Sequence, residues 1–344
     1  MPANPAPLTA PTADDLRAWH RVQSAALAHD RPGEPVPDQE AVRGELTVPG
    51  VDSRRVLWLV RGRNGDAVAT ASLQLFSDPE RARTADVGLT VHPAHRRLGA
   101  GSRLLATVVE AAARAGCRTL VANAAAGTTV EAFLGARGFS PALRLTHQRL
   151  LLDEVPERVR DRPDAPDSGY HLVFWPGAAP EHLIAGFARA RGEAAATATG
   201  RLDLGPRCWD PARLRKAAEV VARRGERLLT VAALCGPPDG DAGEGAGSAD
   251  GGIAGFTELV VPAPGAGHTA RQYATAVLPA HRGNGLGLRL KAEMLRRLAA
   301  DHPGITEVRT DTADDDRHML AVNAALGFRA QRRTVVYRMR LPAR

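Results

Sequence analysis

Lysine is almost missing from this chain: Lys216 and Lys291 are the only two in 344 residues. The formal charge of +7 therefore rests on arginine, with acidic residues interspersed throughout. A polyanion-binding protein would show clustered positive charge with aromatic residues among it. No aromatic-rich basic strand or recognition helix is present, and tyrosine occurs three times, as Tyr170, Tyr273 and Tyr337. Nucleic-acid binding is thus the weakest reading; it would show as affinity falling steeply with salt. Cysteine is also scarce. Cys117, Cys208 and Cys235 form no Cys-x-x-Cys pair and are odd in number. They fit neither a disulfide framework nor a structural zinc site. No stretch approaches the roughly 18 apolar residues of a membrane span. Met1 to Thr12 is rich in Pro and Ala and lacks a basic region followed by an apolar core. The expectation is a cytoplasmic protein, monomer or homodimer, with no metal and no membrane partner.

What the chain does have is one segment written twice. His95-Arg96-Arg97-Leu98-Gly99-Ala100-Gly101 follows Val91-His92-Pro93, and His281-Arg282-Gly283-Asn284-Gly285-Leu286-Gly287 follows Val277-Leu278-Pro279. Each copy continues into a long amphipathic run and closes on Gly-Phe, Gly138-Phe139 and Gly327-Phe328. Arg96 and Arg282 are 186 positions apart and the two Gly-Phe pairs 189 apart. Spacing kept that closely marks a duplicated domain, with a period far too long for a solenoid. The length suits two domains, each able to bury a core. Domains are expected at 1–152 and 170–344, joined by an Asp/Arg/Pro-rich linker at 153–169. A Gly/Asp/Pro-rich flexible insertion is expected at 236–252.

In the first half, helices are expected over 14–29 and 38–46, and an Asn64-Gly65 hairpin joins strands 55–61 and 67–76. Strand 84–91, helix 101–115, strand 118–122, helix 128–137 and strand 143–152 complete it. The second half repeats the order. Strand 170–174, helices 180–191 and 210–224, and strands 227–234, 253–261 and 272–277 lead to its motif. Helix 287–300, strand 307–311, helix 317–326 and strand 334–341 follow. Strands interleaved with helices give an α/β or α+β class.

A strand that turns through glycines straight into a helix makes an anion site. The first N–H groups of the helix have no internal partner, and its dipole favours negative charge there. Glycine lets backbone approach phosphate oxygens, and Arg96 and Arg282 add charge-assisted hydrogen bonds. A diphosphate-bearing ligand follows. A dinucleotide fingerprint does not fit, because neither copy carries Gly-x-Gly-x-x-Gly.

Val-x-Pro-x-x-Arg-x-x-Gly-x-Gly, then helix, strand, helix and Gly-Phe, resembles the GNAT acetyltransferase superfamily, most strongly over 84–139 and 272–328. The resemblance implies two tandem domains, each a central mixed, mostly antiparallel sheet flanked by helices. It implies acetyl-CoA as co-substrate, held by main-chain amides at its pyrophosphate. Val91 and Val277 would face the acetyl-CoA arm with their backbone groups. Arg96, Arg97, Gly99, Gly101 and Ser102 would cradle phosphates in the first half. Arg282, Gly283, Asn284, Gly285, Gly287 and Leu288 would do so in the second, with Asn323 near the pantetheine arm.

The implied reaction is attack of an amine on the thioester, with a base to take the ammonium proton. Base candidates are Asp86, on the motif strand of the first half, and Glu258, on the strand beside it in the second. The resemblance also implies a tyrosine shortly before Gly-Phe to protonate the thiolate, but Phe133 and Asn323 stand there. Asp311, Asp314, Asp315 and Asp316 are candidates for an acidic wall that attracts a cationic amine. Trp175 and Trp209 are candidates for lining a cleft. The leading reading is an N-acetyltransferase acting on a primary amine of a small molecule or peptide, the second half slightly favoured as the working one. The alternative is an acyl-CoA-binding or regulatory protein without turnover.

Overall fold

The computed structural model describes residues 5–160, 169–199, 208–235 and 252–342. Residues 161–168 of the expected linker and 236–251 of the expected insertion lie outside the described residues. The chain forms two compact units, Met1–Leu143 with Val335–Arg344, and Arg144–Thr334.

The first unit begins with α1 (Ala13–Asp30), started by a capping box in which Thr12 and Asp15 bond each other's backbone N–H. Asp38 caps α2 (Gln39–Thr47). The hairpin β1 (Ser53–Arg61) and β2 (Ala67–Phe76) is antiparallel, as is β2 with β3 (Thr84–Val91). β3 then pairs in parallel with β4 (Thr119–Ala125) across the right length for the crossover helix α3 (Ala100–Arg114). The short α4 (Thr129–Gly135) leads to Phe139. Leu73, Leu104, Leu120 and Phe139 are the centre of the core.

The second unit takes β5 (Ser140–Leu151) from Arg144 onward and the turn α5 (Glu157–Arg160). Next come β6 (Tyr170–Pro176), α6 (Glu181–Thr199), α7 (Pro211–Arg223), β7 (Glu226–Cys235) and β8 (Ile253–Pro262). β9 (Thr269–Val277), α8 (Leu286–Asp301), β10 (Glu307–Ala313) and α9 (Arg317–Leu326) follow. Its strand order is β5-β10-β9-β8-β7-β6, antiparallel except for β9 with β10. One face of the sheet packs on α8 through Leu286, Leu290, Met294 and Leu298. The other packs on α6, where Trp175, Phe187 and Phe256 meet edge to face at 5.3 and 5.1 Å.

The last strand of each half departs from expectation. Residues 145–151 of β5 pair with 307–313 of β10, so the first half completes the second unit. Conversely, the C-terminal part of β11 (Arg329–Arg340) stands beside β4, and Val335, Tyr337 and Leu341 join the first core. Alternating apolar residues specify a strand and its buried face, not which sheet receives it. Residues 153–160, expected as linker, supply Val155 and Val159 to the second core. No helix among the described residues is long and apolar enough to cross a membrane.

Candidate functional site

In both units the motif strand parts from its parallel neighbour. β9 pairs with β10 only over Thr269–Arg271, and Gln272–Val277 continue without it. β3 pairs with β4 over Thr84–Val87, leaving Gly88–Val91 splayed. Backbone groups of a splayed strand seek partners, which an extended ligand with its own amides can supply. On the other side of β9 a bulge lies between Glu258 and Leu259, so that Glu258 faces Ala274 and Leu259 faces Gln272. Tyr273 is the extra residue and is exposed.

From Val277 the second motif turns tightly through Pro279–His281. The Arg282 Nε donates to the Val277 carbonyl at 3.2 Å, which fixes the root of the guanidinium. Its terminal nitrogens have no bond to a described residue. Asn284 Nδ2 donates to the His281 carbonyl at 3.1 Å and shapes the loop. Tyr170 Oη and His281 Nδ1 lie 3.1 Å apart beside it. Gly283 (φ 84°) and Gly285 (φ 68°) occupy left-handed backbone, and Gly285 is the N-cap of α8. The first helical bond runs from Arg289 N to Gly285 O, so the amides of Leu286, Gly287 and Leu288 point outward. A side chain at Gly287 would meet Val277 and Val322 only at 3.9 Å. Free amides, a free guanidinium and no side chain in the way fit a diphosphate.

The first motif has the same backbone and a different occupancy. Arg96 Nε again meets the carbonyl of its own Val91 at 3.2 Å. Its terminal nitrogens, however, donate to both oxygens of Asp30 at 2.6 and 2.7 Å. That bond, more than any other influence, holds the Asp30 carboxyl below its usual range and raises Arg96. Arg97 takes the left-handed conformation (φ 64°) that Gly283 takes in the second unit. Gly99 caps α3, but Ser102 Oγ already accepts from Arg137, which lies 4.0 Å over the Phe133 ring. A side chain at Gly101 would meet Val91 at 3.3 Å and Phe133 at 3.6 Å. In the first motif the chain's own side chains thus engage both Arg96 and Ser102.

The two base candidates differ as sharply. Glu258 is fully buried, and its Oε1 accepts from Arg191 at 2.6 Å. Burial pushes its carboxyl up, while Arg191 works in the opposite direction. Arg191 in turn stacks over Trp209 at 3.9 Å. Asp86 is half-buried, with Arg81 3.6 Å away as a loose ion pair. Trp175 is a buried core residue, whereas Trp209 is half-buried under Arg191.

Asn323 is not at a surface. It is fully buried on α9, its Nδ2 donating to Gln148 at 2.8 Å and to Thr312 at 3.0 Å. Its Oδ1 accepts from buried Lys291 at 2.5 Å. Three of the four expected acidic residues are spent separately: Asp311 on His147, Asp314 on Thr146 and Arg333, and Asp316 as the cap of α9. Asp30, Arg137, Arg191 and Lys291 were not legible as site residues. Lys291 alone had a signal, since Gly287, Lys291 and Leu295 recur at helical spacing on the buried side of α8.

The model of the acetyltransferase (GNAT) family matches residues 16–139 and 236–328. Among solved structures, a tandem GNAT protein from the clavulanic acid biosynthesis pathway, determined without AcCoA, is 27% identical with a TM-score of 0.78. The alignment covers 99% of each chain. A GCN5-related N-acetyltransferase from Sphaerobacter thermophilus is 19% identical with a TM-score of 0.71, covering 99% of this chain and 96% of its own. No curated protein sequence matches the chain.

Proposed function

Because the chain belongs to the acetyltransferase (GNAT) family, whose fold supports acyl transfer, we propose that it moves an acetyl group from acetyl-CoA to a primary amine. The second unit is the working one. The observation that carries this assignment is the difference between the arginines: Asp30 grips Arg96, and Arg282 is left to an anion.

In this reading Arg282 and the amides of Gly285, Leu286, Gly287 and Leu288 take the pyrophosphate. The splayed backbone of Gln272–Val277 takes the pantetheine arm, and acetyl-CoA supplies the activated thioester. The acceptor amine attacks the thioester carbonyl directly, and Glu258 receives the proton the ammonium must lose. A carboxyl raised by burial is suited to that task, since it holds a proton more tightly than a solvated glutamate. A base of this kind contributes typically 10²–10⁴-fold. Asn323 offers no proton to the departing thiolate, so the thiolate leaves into water. The tandem GNAT neighbour's place in a small-molecule pathway supports a small-molecule acceptor over a peptide. A second reading, acyl-CoA binding without turnover, is favoured by the absence of a tyrosine before either Gly-Phe, where Phe133 and Asn323 stand.

Titration calorimetry with acetyl-CoA tests the assignment on wild type, Gly287→Glu and Arg96→Gln. Gly287 has ordinary backbone angles and room for a Cβ, so the glutamate acts by occupying and repelling the phosphate site. One site in wild type, lost in Gly287→Glu and kept in Arg96→Gln, is expected. Loss in Arg96→Gln alone would move the site to the first unit, with Asp86 as base.

A further inference from the structure

Three buried polar atoms lie in one line across the sheet of the second unit. The β6–β7 register sets Trp175 opposite Thr230, and the β7–β8 register sets Thr230 opposite Glu258. Trp175 Nε1, Thr230 Oγ1 and Glu258 Oε2 are each buried without a hydrogen-bond partner among the described residues. All three side chains share one face. Ala232 and Phe256, two residues from Thr230 and Glu258, belong with Trp175 to the core under α6. Cross-strand neighbours carry their Cβ atoms roughly 4.5–5.5 Å apart. Trp175 and Glu258, on either side of Thr230, are thus about 10 Å apart at Cβ, a span that an indole and a glutamate side chain leaning toward Thr230 can close around one small molecule. Buried polar atoms without a partner are rare, and three in a row point to a partner they share.

Their chemistry specifies it. The indole N–H only donates, an ionised carboxylate only accepts, and a hydroxyl does either. An ammonium has nothing to accept the indole proton. An anion has nothing to donate and is repelled by Glu258. Water donates to Oε2, donates to or accepts from Oγ1, and accepts from Nε1. Three bonds are what a buried water typically makes.

We propose that Trp175, Thr230 and Glu258 bind one internal water, through which Thr230 and Trp175 act as positioning residues for the Glu258 carboxylate. The positioning role rests on Glu258 being the base; the water site does not. Arg191 already holds Oε1, and the water holds Oε2, so the carboxylate is fixed at both oxygens on the strand beside β9. Among the described residues Arg191, from α6, is the charged group that faces it. Its β7 neighbour Thr230 and its β9 neighbour Ala274 are uncharged, and Gln272 donates to the Glu258 backbone carbonyl, not to its carboxylate. On the α8 side Lys291 is bonded to Asn323. A donor on Oε2 acts with Arg191, against burial, to keep the group ionised.

Thr230→Val tests this, because it keeps the shape and removes the hydroxyl. Isotope-edited infrared titration, wild type minus Glu258→Gln, reads protonation of this carboxyl without turnover. With the water in place, Thr230→Val raises the midpoint by about half a pH unit or more, a roughly threefold change in the ionised-to-neutral ratio. It also lowers Tm, and Thr230→Ser restores both. An unmoved midpoint with an equal or higher Tm, as for a hydroxyl that had no partner to lose, overturns the proposal. Lower Tm with an unmoved midpoint overturns the positioning role. Failure of wild type to release CoA with any amine would overturn the acyl-transfer reading instead, and leave the infrared and thermal results to decide the water.

Discussion

Replacing Lys291 by methionine should make the protein more stable at neutral pH and remove a pH dependence that wild type carries. Lys291 is 2% exposed on α8, with its Nζ on Asn323 Oδ1 and 4.9 Å from the Phe328 ring. No carboxylate among the described residues pairs with it. Burial alone lowers its pKa from 10.5 to about 7. The unfolded chain therefore binds this proton more readily than the folded one. The resulting cost is absent above the unfolded pKa, grows as pH falls, and is complete below the folded value. A shift from 10.5 to about 7 is worth about 5 kcal/mol in full. Methionine fills the site without charge but leaves Asn323 Oδ1 short of a donor, at about 1–3 kcal/mol. The variant is then more stable by about 2–3 kcal/mol near pH 6.5 and about equal to wild type near pH 9.5. Between those two conditions the gap changes by about 3 kcal/mol, or roughly 6–12 °C in Tm for a unit of this size. Scanning calorimetry across that range measures it. A gap that does not change with pH would refute the reasoning, because Lys291 would then be a charged lysine in both states.

Deleting residues 335–344 removes Val335, Tyr337 and Leu341 from the first core although they end the chain. At about 1.5–3 kcal/mol for each buried side chain, the loss rivals the stability of a whole domain. Limited proteolysis of the truncated chain should therefore digest residues 1–143 and spare 169–334; the reverse pattern would contradict the exchange of last strands. Asp30→Asn releases Arg96 and should lower Tm at neutral pH. Asp30 is held below its ordinary value of 3.8, chiefly by the Arg96 hydrogen bond, so its contribution is present above that pH and lost as pH falls through the folded value. Wild type and Asp30→Asn should converge in acid melting curves. The same variant should gain a weaker second site for acetyl-CoA in calorimetry, and an unchanged stoichiometry would show that Phe133 and Arg137 suffice to close the first cradle.

The sequence alone determined the duplication, the elements and the glycine-rich turns, because each is a local matter. Gly283 and Gly285 sit where backbone must be left-handed, and the Val-x-Pro turn puts a helix N-terminus at the end of a strand whatever surrounds it. The periodic runs gave the helices and strands to within a few residues in most cases; α6, which extends to Thr199, and β11, which starts at Arg329, are longer than their patterns suggested. Tertiary structure decided what those local units meet. Asp30 lies 66 positions before Arg96, and Arg191 lies 67 before Glu258, separations over which no periodicity speaks. The row from Trp175 to Glu258 depends on register between strands that are distant in sequence, and the burial of Asn323 against Lys291 depends on how α9 meets α8. The destination of the last strands did too. Alternation in β5 and β11 records that one face is buried, and burial is blind to which sheet provides the cover.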